Sequence, residues 1–207
     1  MTSETGFSAI PPTTLADLLG REQVMDAGIR PLWPGMPRAA GPAVTVRCPA
    51  GDNLMLHAAI YRAEPGSVIV VESGDLDYAL AGGNVCAVAQ RNGVAAFVLD
   101  GVIRDVAEAR ELGFAVFARG VIPVPGTKSA VTPLNEPVRC GGVTVHSGDI
   151  VVADEEGIVV TPRARREQVL RDAQARLARE ASQTLDDWQA AHRARIDKLL
   201  ADGGFSG

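Results

Sequence analysis

Three short apolar runs, Val68-Ile-Val-Val71, Val94–Leu99 and Ala115–Ala118, alternate with stretches whose apolar residues fall at helical spacing. A run of this length bounded by Gly, Pro or Asn reads as a strand buried on both faces, and it is too short for a helix. Asp52 can head one intervening helix, Asn53–Ala63, which ends at Pro65-Gly66. The stretch Asp77–Arg91 is helical in pattern, interrupted at Gly82-Gly83 and closed by Asn92-Gly93. Asp100-Gly101 reads as a turn, and Asp105–Leu112 as a short helix ended by Gly113. The order β-α-β-α-β predicts an α/β fold with a mostly parallel sheet, because parallel neighbours need a helical crossover between them.

On either side of this centre the rhythm differs. Pro11-Pro12-Thr13-Thr14 reads as a stop and a cap leading into a helix over Leu15–Ala27, which leaves residues 1–12 as a mobile arm. A Pro/Gly-rich linker, Gly28–Pro42, precedes the β-type run Ala43–Arg47. Beyond Gly120, short strands at Val143–Val145, Ile150–Val152 and Ile158–Val160 are joined by Ser147-Gly-Asp149 and Glu155-Glu-Gly157, an antiparallel pattern. Pro162 stops the last of them. From Arg165 to Leu200 a long amphipathic pattern predicts one helix that needs a surface to lie on, such as a neighbouring subunit. The chain of 207 residues is thus expected to form one α/β domain over 13–162 with a helical tail over 163–207.

The net charge of -5 disfavours nucleic acid as a partner, since phosphate contacts require a basic surface. The tail, with nine Lys/Arg against six Asp/Glu between Arg163 and Leu200, interleaves its charges as a solvated helix face does. Cys48, Cys86 and Cys140 are odd in number and scattered, which fits neither a disulfide framework nor a zinc site. Reduced thiols suit a cytoplasmic protein. Without a signal-like start or an apolar run of membrane-spanning length, neither export nor membrane insertion is expected.

Chemistry concentrates between Gly82 and Asp105. Gly82 and Gly83 precede the apolar helical run Val85–Gln90, so the amides around Asn84 stand as free donors at a positive helix end, suited to a carboxylate. Arg104 and Asp105 follow a buried strand, at the edge where open α/β folds place ligands. An arginine there can grip a carboxylate with a two-point fork, and an aspartate can hold a hard divalent cation. The same residues admit a plainer account: Asp105-Val-Ala-Glu108 has capping-box spacing, and Arg104 can pair with Glu108 on the surface.

Other templates fail. There is no GxGxxG, GxxxxGK[ST], GxSxG or HExxH pattern. His57, His146 and His192 stand apart and read as structural or solvated. Asp149 and Asp154–Gly157 read as turn formers, and Gly126-Thr127-Lys128 as a loop with the capacity to bind an anion.

Four segments taken together carry a resemblance: Gly82-Gly-Asn-Val85, Val98-Leu-Asp-Gly-Val-Ile-Arg-Asp105, Leu112–Gly120 and Gly148–Gly157. Over about residues 40–180 the chain resembles the RraA-like family, which includes class II 4-hydroxy-4-methyl-2-oxoglutarate/4-carboxy-4-hydroxy-2-oxoadipate aldolases and regulators of ribonuclease E activity. The resemblance implies a compact layered α/β/β domain, a homo-oligomer (trimer or hexamer) with sites at subunit interfaces, and Mg2+ or Mn2+ as cofactor. It assigns the substrate's carboxylate to Arg104, the metal to Asp105, and the pyruvoyl oxygens to the Gly82-Gly83-Asn84-Val85 helix end through the amides of Asn84 and Val85. It also implies that Glu180 of a neighbouring subunit joins the metal through water. The chain departs from the family at Gly83, where an acidic residue is usual, with Asp75 or Asp77 nearby as substitutes. The expected function is a metal-dependent lyase on 2-oxo di- or tricarboxylic acids, by retro-aldol cleavage or oxaloacetate decarboxylation; the Gly83 departure tilts the balance toward the latter. The rival is a non-catalytic regulator that binds an RNA-degrading enzyme.

Overall fold

The computed structural model describes residues 6–205, which form two units, one up to Ala173 and one from Gln174 onward. In the first unit the chain enters through a 3₁₀ turn, Phe7–Ala9, with Phe7 and Ile10 both buried. The expected mobile arm over 1–12 is therefore wrong from Phe7 on, because these side chains enter the core; residues 1–5 lie outside the described residues. Helix α1 (Pro12–Leu19) begins with a proline at its first turn, where no amide is missed. It stops at Gly20, whose φ of 88° no helix can continue, so the helix expected to reach Ala27 is cut short.

Strands β1 (Arg30–Pro31), β2 (Ala39–Cys48), β3 (Val68–Ser73), β4 (Ala96–Ile103) and β5 (Ala115–Val121) come next in chain order, with helices α2 (Leu54–Ala59), α3 (Gly83–Arg91) and α4 (Val106–Leu112) between the later ones. Strands β6 (Val138–Cys140) and β7 (Val143–Val145) pair with each other, while β8 (Ile150–Asp154) and β9 (Gly157–Thr161) extend the main sheet. Its order is β1-β5-β4-β3-β2-β8-β9. The four central strands are parallel and the flanking ones antiparallel, as the two sequence rhythms predict. Strand β2 serves both halves: Ala39–Pro42 pair antiparallel with β8 and Ala43–Cys48 parallel with β3. The layered α/β domain is thus present.

The core is aliphatic, and Val68–Val71 and Phe97–Leu99 are wholly buried, as strands covered on both faces must be. Phe97 meets Phe114 edge-on at 4.9 Å, so truncating Phe97 to alanine would cost about 3–5 kcal/mol. Asp100-Gly101 is not a turn. Strand β4 runs through it with a register shift between Leu99 and Val102, because Asp100 is held from the side by Arg119 Nε and by the Gly141 amide at 2.8 Å. That extension carries the chain to Arg104 at the carboxyl end of β4.

Helix α5 (Arg166–Ala181) begins in the first unit, burying Val169 and Ala173. In the second unit lies α6 (Leu185–Asp202), so the single tail helix expected from Arg165 to Leu200 is broken. The cause is local. Thr184 is an N-cap whose side chain accepts from the Asp187 amide at 3.1 Å while Asp187 Oδ2 accepts from the Thr184 amide, a capping box that starts a new helix. No helix among the described residues is long and apolar enough to cross a membrane.

Candidate active site

Nine residues long, α3 leaves its first amides without intrahelical partners. Its N-cap, Gly82, has extended backbone and no side chain to satisfy them. The Gly83 amide donates to Asp105 Oδ2 at 3.2 Å, whereas those of Asn84 and Val85 carry no hydrogen bond among the described residues. These two face a cleft of about 80 Å³ lined by Asn53, His57, Gly82, Asn84, Val85, Arg104, Asp105 and Lys128, with Ala79, Ala81 and Pro125 between them. The sequence-predicted helix end, Arg104 and Asp105 thus converge.

Asp105 precedes α4 with φ 55° and ψ 40°, a left-handed conformation uncommon outside glycine. Its side chain makes no capping bond to α4, so the helix-cap account of Asp105 fails. Instead the carboxylate turns back onto α3, with Oδ2 3.4 Å from Arg104 Nε. Nor does Arg104 pair with Glu108; Asp105 is its only ionic partner among the described residues. Both side chains keep about two-fifths of their surface exposed, leaving the Arg104 fork and Asp105 Oδ1 available to a ligand.

A side chain at 82 or 83 would require a neighbouring side chain to move. A Cβ on Gly82 would stand 2.4 Å from Asp105 Oδ2, and one on Gly83 only 1.8 Å from Glu108 Oε2. Asp75 is spent elsewhere: its Oδ1 accepts from the Asp77 and Tyr78 amides at 2.9 and 3.2 Å, and its Oδ2 from the Gly51 amide. Asp75 and Asp77 are both absent from the cleft lining, so neither substitutes for an acid at position 83.

Opposite the helix end the cleft holds residues that sequence spacing did not mark. Asn53, 3% exposed, donates from Nδ2 to the Ala79 carbonyl at 3.1 Å, but its buried Oδ1 has no partner among the described residues. His57 Nε2 is likewise buried and without a hydrogen-bond partner among the described residues. Burial first, then the Lys128 charge, holds the His57 pKa below the usual histidine value, against opposing effects of the Leu80 backbone and Asp52, so the ring is neutral near pH 7. Two orphaned polar atoms in one cleft are what a site made for a ligand leaves unsatisfied.

Lys128 is set there by Asp52. Asp52 Oδ2 accepts from the Ser129 amide at 2.6 Å, Ser129 Oγ at 2.9 Å, the Ala130 amide at 3.1 Å and Thr127 Oγ1 at 3.3 Å, while Oδ1 accepts from the Leu54 amide at 2.9 Å. Burial alone would raise the Asp52 pKa; these hydrogen bonds outweigh it and bring the group down to about 2. The sequence signals for this arrangement were Asp52, read as a helix cap, and Gly126-Thr127-Lys128, read as a loop with the capacity to bind an anion.

Among the described residues no three His, Cys, Asp or Glu side chains gather to hold a metal ion. The one carboxylate among the described residues that lines the cleft is Asp105, a hard oxygen donor. Such a donor does not suit zinc, but it suits a cation that keeps several waters and takes oxygens from its substrate, as Mg2+ does. Glu180 belongs to the second unit, where Arg176 Nε pairs with it at 2.7 Å. His146 lies at an exposed turn and His192 stacks on Trp188 at 4.5 Å, the solvated roles expected of them.

The chain is similar to known proteins. A protein of Halalkalibacterium halodurans, provisionally named 4-hydroxy-4-methyl-2-oxoglutarate aldolase, is 36% identical over 199 residues, covering 95% of this chain and 94% of its own. An uncharacterised Pseudomonas syringae structure superposes with a TM-score of 0.79 at 26% identity, covering 92% and 93% of the two chains. Streptomyces coelicolor RraAS2, described as an unusual member of the RNase ES inhibitor RraA family, does so with a TM-score of 0.73 at 27% identity over 93% and 96%. The RraA-like model (Aldolase/RraA) matches residues 12–160, most of the chain and all of the cleft, and the chain therefore belongs to the Aldolase/RraA family.

Proposed function

We propose that this protein is a divalent-metal-dependent carbon–carbon lyase acting on 2-oxo acids that carry further carboxylates. It releases pyruvate by retro-aldol cleavage, with oxaloacetate decarboxylation as the related reaction. One observation carries the reading: Arg104, Asp105 and the free α3 amides open on the same cleft as Asn53, His57 and Lys128. The aldolase names of its relatives support it.

Arg104 grips the carboxylate next to the keto group through its planar fork, and the Asn84 and Val85 amides donate to the pyruvoyl oxygens at the positive end of α3. Lys128, on the far wall, attracts the distal carboxylate. Asn53 Oδ1 and His57 Nε2 offer unspent hydrogen-bonding capacity to a 4-hydroxyl group. As His57 Nε2 takes the proton of that hydroxyl, C4–O becomes a carbonyl and the C3–C4 bond breaks. The electron pair passes into the pyruvate enolate, which Arg104 and the amides stabilise until C3 takes up a proton from His57. A single donor aimed at developing negative charge of this kind is worth roughly 10²–10³ in rate. Mg2+ or Mn2+ held by Asp105 would supply polarisation of the 2-keto oxygen when bound. In a homotrimer or hexamer, Glu180 of a neighbouring subunit would add a water-mediated hold on that ion.

The direct test is pyruvate release from 4-hydroxy-4-methyl-2-oxoglutarate and from oxaloacetate, with Mg2+ or Mn2+ and after exhaustive chelation. Turnover that needs the ion and falls with Arg104→Ala is the expected result; no turnover of either acid, or full turnover without metal, refutes the reading. The likeness to RraAS2 favours one second reading, a regulator that binds an RNA-degrading enzyme. Inhibition of such an enzyme by a protein that turns over neither acid would establish it instead.

A further inference from the structure

Two buried atoms of the cleft can only accept hydrogen bonds. The His57 amide donates to the Asn53 carbonyl one helical turn earlier at 3.2 Å, so the two side chains share a face of α2. The Asn53 side chain cannot be turned round: Nδ2 donates to the Ala79 carbonyl at 3.1 Å, and a carbonyl offers Oδ1 nothing to accept. Oδ1 is therefore the free end, buried and without a partner among the described residues. His57 hydrogen-bonds the backbone of Leu80. The Leu80 amide already donates to the Val102 carbonyl at 2.9 Å, so the Leu80 atom concerned is its carbonyl and His57 is the donor. Because Nε2 has no partner, that donor is Nδ1, and in the neutral ring Nε2 is a bare lone pair.

Buried acceptors with nothing to accept destabilise the site until a ligand brings donors. A hydroxyl has one proton and serves one acceptor at a time. The 4-hydroxyl of the lyase substrate goes to His57 Nε2, which takes that proton, and Asn53 Oδ1 is still left unpaired. Carboxylates cannot fill the gap, since they carry no donor and are met by the cations Arg104 and Lys128 on the cleft wall. Nor can the methyl group of 4-hydroxy-4-methyl-2-oxoglutarate. What the cleft lacks is a second hydroxyl, on the carbon next to C4.

Resting on the lyase reading above, we infer that the preferred substrates are 3-deoxy-2-oxo sugar diacids, hydroxylated at both C4 and C5, and that Asn53 is the residue that reads the second hydroxyl. Two cations meet two carboxylates, and two acceptors meet two hydroxyls: His57 Nε2 takes the one on C4 and Asn53 Oδ1 the one on C5. The six-carbon member is 4,5-dihydroxy-2-oxohexanedioate, and its cleavage balances without a co-reactant. The 4-hydroxyl proton passes to His57, the C3–C4 electron pair enters the enolate, C4 leaves as an aldehyde, and C3 takes a proton from His57. The products are pyruvate and 2-hydroxy-3-oxopropanoate. Asn53 moves no proton in this sequence; it sets specificity. Oxaloacetate has no hydroxyl, leaves both acceptors unpaired and is expected to be a poorer substrate than either hydroxy acid.

The test compares kcat/KM for pyruvate release from 4,5-dihydroxy-2-oxohexanedioate, as each of its diastereomers, and from 4-hydroxy-2-oxohexanedioate, which lacks only the 5-hydroxyl. The full-length protein with Mg2+ is expected to prefer its best dihydroxy diastereomer by about ten-fold or more, the weight of one buried acceptor left unpaired. Equal efficiency on the two acids, or a preference for the monohydroxy one, means that Asn53 Oδ1 holds water instead and overturns the assignment. That comparison needs no variant. Asn53→Ala, checked for folding by circular dichroism melts, should lose more on the dihydroxy acid than on the monohydroxy acid, so that the preference collapses. A fall by the same factor on both acids marks Asn53 as structural and also overturns the assignment. If Asn53→Ala does not fold, the parent comparison decides alone. Cleavage of 4-hydroxy-4-methyl-2-oxoglutarate with no preference for a 5-hydroxyl leaves the lyase reading standing and removes this one; cleavage of none of these acids removes both.

Discussion

Replacing Asp52 by asparagine separates what holds the cleft from what lines it. The Asp52 carboxylate collects hydrogen bonds from Leu54, Thr127, Ser129 and Ala130, and they bring its pKa from the ordinary 3.8 down to about 2. Because the folded value lies below the unfolded one, the stabilisation is fully present above pH 3.8 and is lost as pH falls through 2. At about 1.4 kcal/mol per unit, the shift corresponds to about 2 kcal/mol at pH 7, of which about half survives at pH 3. The residue is 5% exposed, so solvent screening takes little from this figure. Denaturant unfolding of the parent and Asp52→Asn at pH 7, 4 and 3 should show a gap of about 2 kcal/mol that narrows only below pH 4. Activity should fail differently: a loosened 127–130 segment no longer presents Lys128, so KM for the diacid rises more than kcat falls. A stability gap equal at pH 7 and pH 3 would show that Asp52 acts by packing and not by its charge, and would refute the reasoning.

Arg104→Ala is expected to lower kcat/KM by roughly 10–150-fold, the equivalent of about 1.5–3 kcal/mol for a lost charged hydrogen bond, with melting unchanged. Arg104→Lys should recover little, because a point charge cannot reproduce the two-point fork; full recovery in steady-state kinetics would show that charge alone matters. All three cysteines are buried, with burial raising Cys48 to about 11, Cys86 to about 12 and Cys140 higher still, so a thiol reagent at pH 8 should label none of them until denaturant is added. Rapid labelling of the native protein would contradict the packing described. If Glu180 acts on a neighbour's site, mixing the inactive Glu180→Ala and Asp105→Asn proteins under exchange conditions should restore measurable turnover, and no recovery would remove Glu180 from the mechanism.

The parallel centre of the fold was legible because its strands are buried on both faces, and Val68–Val71 or Phe97–Leu99 can serve no other purpose at that length. Helix limits were not, since periodicity continues through residues where the backbone stops. Gly20 ends α1 by its φ, and Thr184 restarts the tail by reaching the Asp187 amide. The second signal was present in the sequence as Thr184-Leu-Asp-Asp187 but was masked by the apolar residues around it. Phe7 and Ile10 carried a comparable signal: an aromatic and a branched aliphatic side chain argue for burial even when prolines follow.

The site divides along the same line. Gly82 to Val85 and Arg104-Asp105 could be marked because each belongs to a local pattern, a glycine-led helix start and a strand end, and the sheet brings the two patterns together. Asn53 and His57 belong to no such pattern, and Lys128 only to a loop with the capacity to bind an anion; they meet through hydrogen bonds that span some 75 residues between Asp52 and the 127–130 loop. Gly83 shows most clearly what spacing omits. Sequence registers it as a missing acid, and from absence alone the natural inference is a missing function. In three dimensions the room at Gly83 is taken up by the side chain of Glu108, a residue whose spacing suggested a capping box with Asp105 or a surface pair with Arg104. Only the fold shows that a Cβ at position 83 would stand 1.8 Å from Glu108 Oε2, so that an acid there would require the Glu108 side chain to move.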